Sequence, residues 1–372
     1  MKRFINCAFK IIFSRTLFII LMILVQLAVL CFGFTKLGES FSYITEGMSL
    51  LGALLVIFIV NRDGAPEFKM TWCILICLLP VFGALIYLFV ELNLGGIGLK
   101  ARTYVRLKET EGLLFTTERT KEAVAESPAD FRGFARYMEG TVGFPAYQGS
   151  EAVYYPSGED KFKDLLEELK KAEKFIFLEY FIMERGIMWN AILDILKEKV
   201  KQGVEVRVMY DGMCSILLLP YGYPKELQKY GIKAKMFAPI RPFLSTNQNN
   251  RDHRKIVVID GKVAFTGGVN LADEYINEKE VYGHWKDTAV KITGEAVRSF
   301  TVMYLQMWHV SENGAADEYE KYLQNIVFDK PLKDDGFVIP YGEMPTVPTE
   351  VAKTVYESLF NTAKKYVHVM LS

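Results

Sequence analysis

Hydrophobic residues follow two different patterns along this chain, and the change falls near residue 100. Before it, apolar residues come in long runs: 13–34, 43–60 and 70–90. The first run, FSRTLFIILMILVQLAVLCFGF, is long enough for a bilayer of about 30 Å, and Lys2, Arg3, Lys10 and Arg15 precede it. The second carries Glu46 near its start, and the third contains Pro80, which a transmembrane helix tolerates as a kink. The pattern predicts transmembrane helices over all three. A cleaved signal peptide is set aside, because no small-x-small cleavage site follows the first run and further apolar segments do. Three spans would place the remainder of the chain outside and two would keep it inside, and the sequence leaves both counts open.

After residue 143 the apolar clusters shorten and their period alternates between strand and helix. Val153–Pro156 predicts a short strand, and Gly158–Ala172 a helix with Phe162, Leu165, Leu166 and Leu169 on one stripe. Phe175–Ile182 predicts a buried strand, Trp189–Lys201 a helix ended by Gly203, and Val204–Tyr210 another strand. Pro239–Asn250 reads as a loop. Val263–Thr266 and Ala289–Ile292 predict strands, and Phe300–Val310 an aromatic-rich helix. Strand and helix in alternation predict an α/β domain with a mixed, mainly parallel sheet flanked by helices. The expected division is a membrane region over 1–99, a connector over 100–142, an α/β unit over 143–340, and a further segment over 341–372.

Composition narrows the function classes. The 372 residues hold 44 basic and 44 acidic side chains, so no overall charge points to a polyanionic partner. The five cysteines give neither a disulfide framework nor a zinc-ligand spacing. His253, His284 and His309 gain no further ligand at metal-site spacing, so neither metal nor cofactor is expected. Lys100, Arg102, Arg106 and Lys108 form a basic stretch that suits either anionic lipid headgroups or an ordinary solvated helix face.

The chemistry concentrates in NNRDHRKIVVIDGKVAFTGGVNLADE, Asn249 to Glu274. His253 and Lys255 stand two apart on a predicted strand and so project to one side. An imidazole beside an ammonium handles anions: Lys255 holds a phosphoryl oxygen while His253 attacks phosphorus or moves a proton. Asp260-Gly261 predicts a tight hairpin turn, in which Asp260 braces the turn rather than moving protons. Gly267 and Gly268 let the chain turn closely and would bring the Asn270 amide to the same place. Glu179, in an otherwise apolar strand, either adjoins the site or belongs to a buried core network. Asp211-Gly212 either lines the cleft or makes a turn.

The spacing H-x-K-x4-D, as His253, Lys255 and Asp260, resembles the HKD motif of the phospholipase D superfamily. The NNRDHRK, AFTGGVN and WKDT phrases resemble bacterial cardiolipin synthases, as does the stretch from Arg62 through Pro66, Trp72, Leu79-Pro80, Gly83 and Tyr87. The resemblance implies a multi-pass bacterial cell-membrane enzyme with a phospholipase D-like domain. It would transfer a phosphatidyl group between two phosphatidylglycerols through a phosphohistidine at His253, releasing glycerol. Lys255 and Asn270 would bind the phosphate, with anionic membrane lipids as partners and no nucleic acid. Asp287, ahead of Glu280, would accept the second N–H of His253. Single-motif relatives imply one alternative, a homodimeric phosphodiesterase or nuclease; a second, from a different class, is a non-catalytic membrane remnant.

Residues 161–180 and 351–370 resemble each other, each an amphipathic helix followed by Ala and Lys residues and a buried strand. The second copy lacks an H-x-K-x4-D motif, whereas the family carries two such repeats. The expectation is a second repeat only begun, weak or absent transferase activity for the chain alone, and self-association through the exposed half-repeat.

Overall fold

A computed structural model describes residue 24 and residues 38–62, 66–91, 94–214, 218–239, 251–310, 317–324, 326–328, 336–343 and 351–369. Contacts divide the chain into two compact units: residues 1–97 with 241–249, and residues 98–240 with 250–372.

The first unit contains three described helices, α1 (Gly38–Asn61), α2 (Pro66–Leu78) and α3 (Pro80–Glu91). They pack around Ile59, Ile76 and Tyr87, with Trp72 edge-on to Tyr87. The transmembrane helices expected over 43–60 and 70–90 are not borne out: among the described residues no helix is long and apolar enough to cross a membrane. The first half of α1 carries Glu39, Ser40, Ser42, Thr45, Glu46 and Ser49, which leaves Leu50–Val60 as its apolar part. That part rises about 16 Å, against a hydrocarbon core of about 30 Å. The run over 70–90 is cut in two at Pro80, giving helices of 13 and 12 residues. The bend is sharp: a Cβ on Gly83 would lie 2.7 Å from the Ile76 Cα and the Leu75 carbonyl oxygen. The run expected over 13–34 lies outside the described residues except for Leu24.

The second unit opens within α4 (Leu94–Glu109) and continues through α5 (Glu118–Glu126) and α6 (Ala129–Tyr137). Then come β1 (Ser150–Tyr155), α7 (Gly158–Lys171), β2 (Phe175–Tyr180), α8 (Ile187–Lys201), β3 (Glu205–Asp211), α9 (Tyr223–Gln228) and β4 (Lys233–Phe237). β5 (Lys255–Ile259), β6 (Val263–Gly267) and β7 (Ala289–Gly294) complete one sheet, and α10 (Val297–Val310), α11 (Asp317–Leu323) and α12 (Val351–Thr362) follow. Strand order is β1-β7-β6-β5-β2-β3-β4.

The sheet is mixed, but it is not mainly parallel as expected. Only β2–β3 and β3–β4 pair parallel. The pairings β1–β7, β7–β6, β6–β5 and β5–β2 are antiparallel. Among neighbouring strands, helical crossovers link only β2 to β3 and β3 to β4, and such crossovers give parallel neighbours. β5 and β6 form a hairpin instead, which can only be antiparallel. Its turn is Asp260-Gly261, both left-handed with φ 53° and 69°, closed by the Lys262 N–H on the Ile259 carbonyl at 2.9 Å.

Side-chain alternation splits the core in two. Ile176, Leu178 and Tyr180 of β2 pack with Val257 and Ile259 of β5 under α7, α8 and α9. Phe175, Phe177, Ile256 and Val258 face α10, α11 and α12. With both faces covered, β2 is buried at every position, which explains its apolar reading, interrupted only by Glu179. The second repeat's expected strand is absent: after α12, Tyr366, Val367 and Val369 are exposed and pair with no strand among the described residues.

Asp260 ties the hairpin to the start of β2. Its carboxylate accepts the N–H groups of Glu173, Lys174 and Phe175 at 2.8, 2.7 and 2.8 Å, and its own N–H donates to the Phe175 carbonyl at 2.9 Å. Asp260→Ala removes three charge-assisted bonds and is expected to cost about 2–4 kcal/mol. Asp260→Asn, which keeps one acceptor and tolerates φ > 0, should cost less. Glu167→Ala, which removes an exposed pair with Lys170, should leave stability essentially unchanged. Urea unfolding midpoints check the order; equal midpoints for Asp260→Ala and Glu167→Ala would count against the tether.

Candidate active site

His253 stands just before β5, where the chain enters the middle of the sheet between β6 and β2. Its imidazole is exposed and lies on the Phe181 ring, centroids 4.6 Å apart. Lys255, the first residue of β5, is buried. Its Nζ lies 3.2 Å from His253 Nδ1, donates to the His253 carbonyl at 2.7 Å, and sits 5.5 Å from the Phe181 ring centroid. Residues two apart thus meet at one end of the sheet, imidazole outward and ammonium just beneath. Burial, followed by the Lys255 charge, holds the His253 imidazole below its ordinary range. Burial also pulls Lys255 down to about 8, against the opposing pull of Asp252 and Asp287.

Phe181 is held by its surroundings. Cys214 Sγ donates to the Phe181 carbonyl at 3.1 Å and accepts the Met183 N–H at 3.3 Å. Asn270, buried, accepts the Ile182 N–H at 3.0 Å and donates to the Tyr275 hydroxyl at 2.8 Å. The Asn270 amide therefore clamps the end of β2 to the loop after β6, and one of its two amide hydrogens remains after these bonds. Gly267 (φ 146°) and Gly268 allow that loop to lie against the start of β7. A Cβ on Gly267 would fall 2.4 Å from the Thr288 carbonyl oxygen, and one on Gly268 1.9 Å from Asp287 Oδ1.

The structure does not bring every sequence candidate to His253. Asp260 lies beyond the far end of β5, five residues and about 16 Å from Lys255. Asp287 has its Oδ1 on the Thr288 N–H at 2.8 Å, and its charge acts on Lys255 and on Lys161. Glu280 is exposed. Asp211, buried, is the carboxylate whose charge reaches His253. It accepts the N–H groups of Met213 and Asp252 at 2.8 and 2.9 Å and pairs with Arg251 at 3.4 Å. Glu179, fully buried, lies on the opposite face of the sheet with Asp252 and Arg254. Among the described residues no three His, Cys, Asp or Glu side chains are placed to hold a metal ion.

Sequence reasoning missed Phe181, Lys161, Asp252 and Arg254. Phe181 was hidden in the apolar run over 175–182, just past the end of β2. Lys161 is buried on α7 and donates to the Tyr180 hydroxyl at 3.0 Å, and burial lowers it to about 7. Strand alternation contained a usable signal for the other two: if His253 and Lys255 share a side, Asp252 and Arg254 share the other. A cavity of about 630 Å³ lies elsewhere, at the β4 edge, lined by Arg207, Gln228, Lys233, Lys235 and Trp308. Its cations are engaged: Arg207 and Lys233 bind Glu205, and Lys235 donates to the Trp308 carbonyl.

Comparison with known proteins agrees with the motif. A family model described as "Cardiolipin synthase, PLD-like domain" matches residues 165–308, and one described as "Phospholipase_D-nuclease N-terminal" matches residues 50–91. An uncharacterised Streptococcus mutans protein is 44% identical over 315 residues, covering 85% of this chain and 68% of its own. Cardiolipin synthase of Alkalihalophilus pseudofirmus is 32% identical over 330 residues, covering 87% of this chain and 63% of its own. That of a Geobacillus species is 34% identical over 335 residues, covering 87% and 64%. The chain spans a little under two thirds of the length of these two synthases. With its motif in register and the family model over residues 165–308, the chain carries a phospholipase D-like domain of the kind described for cardiolipin synthases.

Proposed function

We propose phosphatidyl transfer, with phosphatidylglycerol as donor and acceptor and His253 as nucleophile, at a low rate in the chain by itself. The observation that carries this reading is the pairing of an exposed imidazole with a buried ammonium 3.2 Å away at the end of a central strand. A phosphodiester bears one negative charge, and Lys255 is the cation placed to receive it. Lys255 now donates to the His253 carbonyl and faces Nδ1. A bound phosphate oxygen would draw the ammonium off Nδ1 and leave the imidazole free to react.

In the first step an imidazole nitrogen lone pair attacks phosphorus. The P–N bond forms, the P–O bond to glycerol breaks, and the leaving oxygen takes a proton. In the second step a hydroxyl of another phosphatidylglycerol attacks the same phosphorus. The P–N bond breaks, His253 is released, and the hydroxyl proton is lost. Splitting the exchange makes each step an in-line displacement on a held centre. Lys255 stabilises the charge that builds on the non-bridging oxygens in both steps, and the spare Asn270 amide hydrogen is the neighbouring donor. The nitrogen bonded to phosphorus cannot also protonate the glycerol oxygen, so that proton comes from another group. Among the described residues the other histidines have other surroundings: His284 is exposed near Glu159, His309 packs edge-on to Tyr319, and His368 stacks on Tyr366.

Membrane lipids as substrates imply work at a lipid surface, and the exposed Leu50, Leu54, Ile57, Phe58, Ile74 and Leu78 of the first unit suit contact with one.

Two outcomes test the reading with the purified chain in phosphatidylglycerol vesicles. His253→Gln should lower lipid turnover on the order of 10³-fold or more, and Lys255→Met on the order of 10²–10³-fold, both read by thin-layer chromatography of labelled lipid. Turnover within a few-fold of the unmodified chain in His253→Gln would remove the histidine from the mechanism. The second outcome is the pH profile. The reactive imidazole must be neutral, and its lowered pKa places the acid limb below 6.5. The ammonium must be charged, so activity should fall as pH rises through about 8. Lys255→Arg, which stays charged, should be slower but should lose that alkaline limb. An alkaline limb unchanged in Lys255→Arg would assign it to another group.

A further inference from the structure

The four residues entering β5 alternate across the sheet. His253 and Lys255 face the site; Asp252 and Arg254 turn to the other side, where Glu179 waits on β2. Glu179 is 0% exposed and Asp252 2%. Among the described residues neither Glu179 oxygen meets a hydrogen-bond donor, and neither does Asp252 Oδ2. Asp252 Oδ1 accepts the Arg254 N–H at 3.2 Å. The Arg254 guanidinium stops 3.9 Å short of Glu179 Oε1 and donates instead to the Met303 carbonyl of α10 at 3.2 Å. Asp211, at the end of β3, holds the Asp252 N–H and Arg251.

The charges facing this point are therefore Glu179 from β2, Asp211 from β3, and Arg251, Asp252 and Arg254 from the entry to β5, with the Met303 carbonyl from α10. On this face three carboxylates meet two guanidiniums, so one negative charge is in excess; the Lys255 ammonium, which Asp252 also feels, lies on the other face and is committed to His253. An uncompensated charge buried this fully costs several kcal/mol. A single proton removes the excess and also joins two of the three orphaned oxygens.

We propose that Glu179 and Asp252 share one proton at neutral pH, Glu179 as the neutral acid donating to the Asp252 carboxylate, and that this pair positions His253. The pair is a backbone device. Asp252 receives the Arg254 N–H through its side chain and gives its own N–H to Asp211, which pins the chain on both sides of His253. Burial raises both carboxyls above their ordinary range, and at Glu179 the Asp252 charge adds to it while Arg254 opposes. Coupled carboxyls that share one proton are an established arrangement. The link to His253 rests on the nucleophile proposed above, whereas the shared proton does not.

Infrared spectroscopy of the full chain near pH 7 reads the proton directly. The expected result is a carbonyl band of a protonated carboxylic acid that disappears in Glu179→Gln and shifts in Asp252→Asn. Because Gln imitates the neutral acid, Glu179→Gln should keep its melting temperature within about 2 °C. It should also keep the rate of His253 labelling by a lipid phosphodiester within about threefold. Glu179→Ala should lose about tenfold or more in that rate. No acid band near pH 7, or a band indifferent to both substitutions, would overturn the shared proton. If Glu179→Gln does not fold, ¹³C-labelled Glu in the unmodified chain decides the matter, because the band must then move with the label. A folded Glu179→Ala that labels at the unmodified rate would overturn the positioning role. An unmodified chain that shows the band but never labels His253 would instead count against the proposed function.

Discussion

Four consecutive polar side chains, Asp252, His253, Arg254 and Lys255, enter the centre of a sheet that is covered on both faces. Few strands carry such a load, because a buried charge costs more than a buried apolar group gains. Strand alternation makes the load tolerable by dividing it. One pair is delivered to the open end of the sheet, where an imidazole reaches solvent above an ammonium. The other is delivered into the interior, where Glu179, Asp211 and Arg251 absorb it. The reactive face and the buried charge network are thus two sides of the same four residues.

The rest of the unit keeps that strand from slipping. At its far end Asp260 binds three successive N–H groups at the start of β2. At its near end Asn270 binds the chain leaving β2, and Gly267 and Gly268 allow the loop to lie close enough to do so. A one-residue slip would send His253 and Lys255 into the core. The motif's Asp and the downstream Gly-Gly-x-Asn therefore act as registration marks for its His and Lys. This explains how a spacing of several residues can report on one small site.

Legibility in the sequence followed the range of the interaction. Period-two patterning placed His253 and Lys255 together, and Asp-Gly marked a turn whose two residues are both left-handed. These are local facts. Strand direction is not local: β2, β3 and β4 resemble the other strands in composition, and the antiparallel majority follows from which neighbours lack helical crossovers. Hydropathy over 70–90 registered an apolar run but not the bend at Pro80 that divides it into short helices. Likewise, an amphipathic helix followed by Tyr366 and Val367 looked like the start of a second sheet element, but a strand needs a partner, and those side chains are exposed. The engagement of Asn270 by Ile182 and Tyr275 depends on contacts made across the fold, and its residue type alone could not distinguish a phosphate ligand from a clamp.

The central claim is that the imidazole presented by this strand forms a bond to phosphorus. The direct measurement is acid-free proteolysis and mass spectrometry of the chain after brief exposure to a short-chain phosphatidylglycerol. The account predicts a phosphatidyl adduct on the peptide containing His253, stable at neutral pH and lost in mild acid as a phosphoramidate should be, and absent from Lys255→Met under the same exposure. An adduct on a different residue, or lipid turnover with no adduct at His253 on any timescale of quenching, would contradict it.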